Sequence, residues 1–194
     1  MGNTTSIDSQ TTGPAALVPA GADDADFLLA VYSSTREEEL AQTGWSSDQK
    51  SAFLRMQFDA QRRHYLAHYP NAAWQLIVQD GRPIGRMIVD RGTDEILLMD
   101  IALLAAHRGT GIGSALVRAL LVEAAAAEKP VRLHVESFNP ARHLYRRLGF
   151  VDVEEYGIYV CMVWNPPGKT LRAGEALEIK RARETVNQGE SHVA

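Results

Sequence analysis

The sequence is almost without cysteine. Cys161 is the one thiol among 194 residues, so no intramolecular disulfide can form and nothing calls for an oxidising compartment. Long apolar runs are also missing. Asp100 interrupts one candidate and Arg118 and Glu123 the other, short of the roughly 20 apolar residues that cross a bilayer. The opening MGNTTSIDSQTTG has neither a basic residue nor an apolar core, so it does not suit a secretory signal and predicts disorder over residues 1–13. Positive charge is not in excess: a net charge of -4 argues against a nucleic-acid or acidic-membrane surface and leaves a small molecule as the expected partner. His64, His68, His107, His134 and His143 show no metal-ligand spacing with cysteine or carboxylates, so no metal is expected. These absences predict a cytoplasmic protein.

What is present suits one soluble domain, since 45% hydrophobic and 23% charged residues are ordinary proportions and domains most often hold about 100–150 residues. That domain is expected over 14–165, followed by a polar tail over 166–194. Strands are predicted at 15–19, 74–78, 83–89, 95–104, 131–135, 150–154 and 158–164, with Asp80-Gly81 as a hairpin turn. Helices are predicted at 22–34, from Ser46-Ser47-Asp48 to Tyr69, at 111–127 and at 139–147, with a further helical piece or loop over 36–45. The helix at 111–127 is expected to bury Ile112, Leu116, Ala119, Leu120 and Val122; the long one spaces out Phe53, Met56, Phe58, Ala60, His64 and Ala67. Periodicity alone goes no further than an α/β or α+β chain.

The informative stretch is ILLMDIALLAAHRGTGIG, residues 96–113, which runs straight into SALVRALLVEAAAAE. An apolar run, a loop with glycines at 109, 111 and 113, and a helical pattern read as strand, anion-cradling turn and helix. Glycines let backbone N–H groups crowd around a phosphate, and the helix they open adds unsatisfied donors and a positive dipole end. Two familiar phosphate loops do not fit. A dinucleotide fingerprint counted from Gly109 would need glycine where Ser114 stands, and no Gly-Lys-Ser/Thr ends the loop.

Arg108-x-x-Gly111-x-Gly113 does fit another pattern, and here the chain resembles the GNAT superfamily of acyl-CoA N-acyltransferases. Asn139-Pro140-Ala141, Leu144-Tyr145 and Leu148-Gly149-Phe150 look like that family's second signature, in the right order and about one strand away. The resemblance covers about Ala15 to Trp164. It implies an α/β (α+β) fold: a mixed, centrally splayed sheet of about seven strands with helices on both faces. It also implies acetyl-CoA as cosubstrate and transfer of an acetyl group to a primary amine of a small molecule, by direct attack in a ternary complex. A non-catalytic acyl-CoA sensor, or a dimer acting on a protein or peptide amine, are the alternatives; a pure binder would have no need of Tyr145.

By the same resemblance, Arg108, Gly109, Thr110, Gly111, Ile112, Gly113 and Ser114 would hold the pyrophosphate. The backbone of Ile101 and Leu103 would pair with the pantetheine arm and the acyl oxygen, Asn139 would contact the cofactor, and Tyr145 would protonate the departing thiolate. The base is less defined. Relatives that use a strand glutamate carry it where this chain has Leu97, so Glu95 and Asp100 are the candidates, Asp100 facing the opposite side of the strand unless a bulge resets the alternation. Cys161, in an apolar last strand, is expected to be a buried structural thiol. The glutamates at 37–39 and 154–155 are read as solvated faces.

Overall fold

The computed structural model describes residues 13–169, so the expectations for 1–12 and 170–194 lie outside the described residues. Seven strands form one sheet: β1 (Ala16–Pro19), β2 (Ala73–Gln79), β3 (Arg82–Arg91), β4 (Ile96–Leu103), β5 (Val131–Glu136), β6 (Val151–Tyr156) and β7 (Tyr159–Trp164). Their order is β1-β2-β3-β4-β5-β7-β6, antiparallel throughout except for the parallel pair β4–β5. The helices are α1 (Ala25–Ser34), α2 (Glu37–Ala41), α3 (Ser47–His68), α4 (Ile112–Ala126) and α5 (Ala141–Arg147). No helix among the described residues is long and apolar enough to cross a membrane.

Local chemistry sets the boundaries. The β2–β3 turn holds Asp80 and Gly81 at φ 50° and 75°, the two left-handed positions that a tight hairpin requires. Ser46 caps α3 reciprocally: its hydroxyl accepts from Gln49 N at 3.3 Å while its own N–H donates to Gln49 Oε1 at 2.9 Å. Gly149, at φ 93°, turns the chain out of α5, and the Phe150 N–H closes back on Tyr145 O. At the margins, Gly13 is tied to the side chains of Gln79 and Asp80, and Lys169 reaches the Glu128 carboxylate and carbonyl.

Strand alternation divides the core between the two faces. Ile77 joins the larger cluster with Leu116, Val117, Leu120, Leu121 and Ala124 of α4, and its neighbour Leu76 points the other way, to Leu28 and Tyr32 of α1 and Phe58 of α3. Helices therefore cover both faces. The expected stripe of α4 needs correction: Leu116 and Leu120 are buried, but Ala119 is exposed and Val122 is 71% exposed, and the inward set continues through Val117, Leu121 and Ala124. Alanine-rich stretches give little contrast between faces, and the phase slipped by one position. On α3 only Phe58 is fully buried, Met56 is exposed, and Leu54, Gln61 and Tyr65 share the side of Phe58 at helical spacing.

Two irregularities in the centre of the sheet position the site. The β4–β5 ladder has only three rungs, Ile96↔Val131, Leu97↔Arg132 and Leu98↔Leu133; past them β4 stays with β3 and β5 stays with β7, so the sheet splays. In the β3–β4 ladder the register steps from Val89↔Leu98 to Ile88↔Asp100, which leaves Met99 as a bulge. Further along, Gly85 lies against Leu103 so closely that a Cβ there would sit 2.3 Å from the Ala102 carbonyl oxygen, so no other residue fits.

Candidate functional site

The bulge decides which side chains share a face. Before it Ile96 and Leu98 turn toward α4; after it Ile101 and Leu103 do so, and Asp100 moves to the face of Glu95 and Leu97. Main-chain groups alternate as well. Leu104 N donates to Ile84 O, so the backbone of Ala102 and Asp100 is turned toward β3 and that of Ile101 and Leu103 away from it, into the splay. An acyl chain lying there would meet a strand edge whose N–H groups and Ile101 carbonyl face it, the Leu103 carbonyl already accepting from Arg108.

At the C-terminal end of β4 the chain makes a short 3-10 turn, Ala105–His107, and enters the glycine loop. Gly109 and Gly111 hold φ of 73° and 88°, and Gly111 is the N-cap of α4. Apart from the adjoining residues and, for Gly113, the backbone of its own helix, no protein atom lies within 4 Å of where a Cβ of Gly109, Gly111 or Gly113 would stand. The first intrahelical bond runs from Ala115 N to Gly111 O, so the N–H groups of Ile112, Gly113 and Ser114 are the unsatisfied first-turn donors. These residues fit a pyrophosphate through main-chain donors and the helix dipole. The Thr110 hydroxyl is used within the turn, donating to His107 O at 2.8 Å.

Arg108 has protein partners that the sequence did not announce. Its Nε donates to Leu103 O at 2.8 Å, and its Nη2 to Ser34 O and Oγ at 2.9 and 3.1 Å. The guanidinium thus fastens the end of β4 to the end of α1. It acts on the loop as a brace.

Tyr145 and Asp100 approach the splay from opposite faces. Tyr145, on α5, belongs to the α4-side core, is 7% exposed and packs edge-on against Phe150 at 5.7 Å. Burial, reinforced by the Asp100 carboxylate, pushes its phenol well above the usual range. Such a group stays protonated at neutral pH, as a proton donor must. Asn139 Oδ1 accepts from Ala141 N at 2.9 Å and so starts the helix that carries Tyr145. Glu95 does not reach this opening. It lies at the closed end of the ladder, paired with Arg132 of β5 at 2.7 Å. Cys161 is fully buried, and burial pushes its thiol up to about 11, which suits a structural thiol.

Sequence reasoning passed over Arg86. It is 2% exposed, donates to Leu28 O and Gln61 Oε1 at 3.4 Å each, lies over the rings of Tyr32 and Phe58, and pairs with Asp100 at 2.5 Å. The signal was an arginine inside the apolar strand run 83–89. Among the described residues no group of three His, Cys, Asp or Glu side chains is placed to hold a metal ion.

An open mixed sheet parted between its central parallel strands, with a glycine-opened helix at the end of one of them, defines the acyl-CoA acyltransferase class of fold. The chain belongs to the acetyltransferase (GNAT) family, whose model it matches over residues 33–150. The PaiA N-acetyltransferase of Thermoplasma acidophilum, solved in complex with coenzyme A, shares the fold at a TM-score of 0.61 and 16% identity, covering 79% of this chain and 99% of that one. An acetyltransferase from Thermus thermophilus does so at 0.59 and 20% identity, over 78% and 97%. In sequence the chain is 33% identical over 81 residues to the [ribosomal protein bS18]-alanine N-acetyltransferase of Haemophilus influenzae; that match spans 40% of this chain and 54% of the relative.

Proposed function

We propose that the protein is an acetyl-CoA-dependent N-acetyltransferase that acetylates a primary amine by direct attack in a ternary complex. The observation that carries this reading is the convergence at one opening of three features: the α4 glycine cradle, the unladdered backbone of Ile101 and Leu103, and the Tyr145–Asp100 pair of groups. Acetyl-CoA supplies the activated acyl group. The ammonium first sheds a proton to Asp100, directly or through water; the amine nitrogen then bonds to the acyl carbon as the carbon–sulfur bond breaks, Tyr145 gives its proton to the sulfur, and the surplus proton on the new amide nitrogen restores the Tyr145 phenol. The buried, proton-retaining Cys161 makes an acyl-cysteine step unneeded.

A small-molecule amine remains the acceptor proposed from the chain's composition. A second reading, the N-terminal amine of a polypeptide, is favoured by the resemblance to an enzyme named for an alanine of a ribosomal protein. Thiol release from acetyl-CoA, measured across amino acids, polyamines, arylamines and alanine-initiated peptides, separates the two. Turnover confined to peptides would replace the small-molecule reading, and no turnover with any amine would leave an acyl-CoA sensor.

A further inference from the structure

Arg86 is the one charged side chain that burial removes almost wholly from solvent among the described residues, and it is not needed to finish the apolar core around it. A lone guanidinium among Leu28, Tyr32 and Phe58 would cost stability unless its charge were matched. Its match is Asp100, the residue that the Met99 bulge turns onto this face.

The geometry of the pair is one-sided. Asp100 Oδ2 lies 2.5 Å from Arg86 Nη2 and out of solvent contact, without a well-aligned hydrogen bond. The side chain is nonetheless 21% exposed, so Oδ1 is the oxygen left for a solute. Arg86 is itself held by its surroundings: strand β3 bears it, the Leu28 carbonyl of α1 and the Gln61 amide oxygen of α3 accept from it, and the adjoining Tyr32 and Phe58 rings pack against its guanidinium. The Tyr65 hydroxyl from α3 and the Tyr145 hydroxyl from α5 both feel the Asp100 charge.

We propose that Arg86 is a positioning residue for acyl transfer: a buried cation that grips Asp100 by Oδ2 and so aims Oδ1 at the acceptor amine, beside the Tyr145 hydroxyl in the splay. The proposal rests on the reading of Asp100 as the amine-facing carboxylate. It assigns to the bulge a purpose, since without the extra residue Asp100 would point to the α4 side, away from Arg86. Arg86 touches neither substrate. Its effect belongs to the step in which the amine reacts, and not to acetyl-CoA binding.

The test uses the full chain with the best amine from the acceptor panel and three variants, Arg86→Lys, Arg86→Met and Arg86→Met/Asp100→Asn. Melting temperature, acetyl-CoA affinity by calorimetry, and kcat and KM for the amine are measured for each. Arg86→Lys keeps the charge but not the planar, multidentate grip, and should lose at least tenfold in kcat with melting temperature and acetyl-CoA affinity near wild type. Arg86→Met should melt lower, because it leaves a buried carboxylate without its cation. The double variant, which removes both charges, should regain most of the melting temperature while kcat stays at least a hundredfold down. If kcat for Arg86→Lys stays within twofold of wild type, or if the double variant regains turnover together with stability, the pair is packing alone and the proposal falls. Failure of the underlying reading looks different: the wild-type chain would then bind acetyl-CoA without acetylating any amine, or Asp100→Asn alone would leave kcat unchanged.

Discussion

Leu98 of β4 and Leu133 of β5 are the last residues paired across the centre of the sheet, and everything attributed to the site lies beyond that rung. On the β3 side the ladder continues to Gly85↔Leu103, so β4 keeps one bonded edge and frees the other. The amides of Ile101 and Leu103 should therefore exchange with solvent faster than those of Asp100 and Ala102. Saturating acetyl-CoA should slow them at least tenfold and leave Asp100 and Ala102 unchanged; amide-resolved hydrogen exchange by NMR checks this.

Gly113 separates cofactor binding from folding better than Gly111. Any side chain at Gly111 is strained by its φ of 88°, whereas Gly113 lies inside α4 without a positive φ. Gly113→Ala should hold or raise stability, by up to about 1 kcal/mol from helix propensity. Its methyl group would stand in the open cradle, so acetyl-CoA affinity should fall roughly tenfold or more, about 1.4 kcal/mol. Thermal melts and calorimetry on the same sample supply both numbers.

The helix bearing Tyr145 is clamped by one carboxylate. Asp152 of β6 accepts from Arg146 at 2.5 Å and from Arg142 at 2.7 Å, and Arg142 also holds Ser137 O. The hydrogen bond from Arg146, then that from Arg142, keeps the Asp152 carboxyl below its usual range. A depressed folded-state value means stability that is full above the unfolded pKa, near 3.9, and lost as pH falls through the lower folded value. Urea unfolding should show Asp152→Asn weaker than wild type by about 1 kcal/mol at pH 6, with the gap closing below about pH 4.

Gly85 should tolerate no side chain. A Cβ at 2.3 Å from Ala102 O forces β3 and β4 apart, so Gly85→Ala should destabilise by about 1–3 kcal/mol, the usual cost of overpacking, and lower turnover by shifting Asp100 and Ile101. Urea melts and steady-state rates test both.

Much of this was legible in the sequence because its causes are local. Asp80-Gly81, Gly109, Gly111 and Gly149 each announce a backbone conformation that few other residues accept, and the structure has left-handed backbone at all five positions. What stayed hidden depends on partners far along the chain. Arg108 reads as a phosphate ligand, and nothing in the sequence announces that its guanidinium also reaches Ser34, 74 residues away. The face of Asp100 turns on a bulge at Met99, which depends on register against β3. Glu95 and Asp100 could not be told apart without knowing where the β4–β5 ladder stops. Arg86 announced itself only as a charge in an apolar strand, and its meaning came from three other elements, α1, α3 and β4, that converge on it.

The central claim is that the Tyr145 hydroxyl protonates the departing thiolate. Tyr145→Phe keeps the contact with Phe150 and nearly all the buried area, so stability and acetyl-CoA affinity should stay near wild type. The measurement is kcat at saturating acetyl-CoA and saturating amine. Loss of the proton donor predicts a fall of roughly 10²-fold or more with little change in either binding constant. A kcat within about threefold of wild type, well below the general-acid range, would mean that another group or water delivers the proton and that Tyr145 is a core residue.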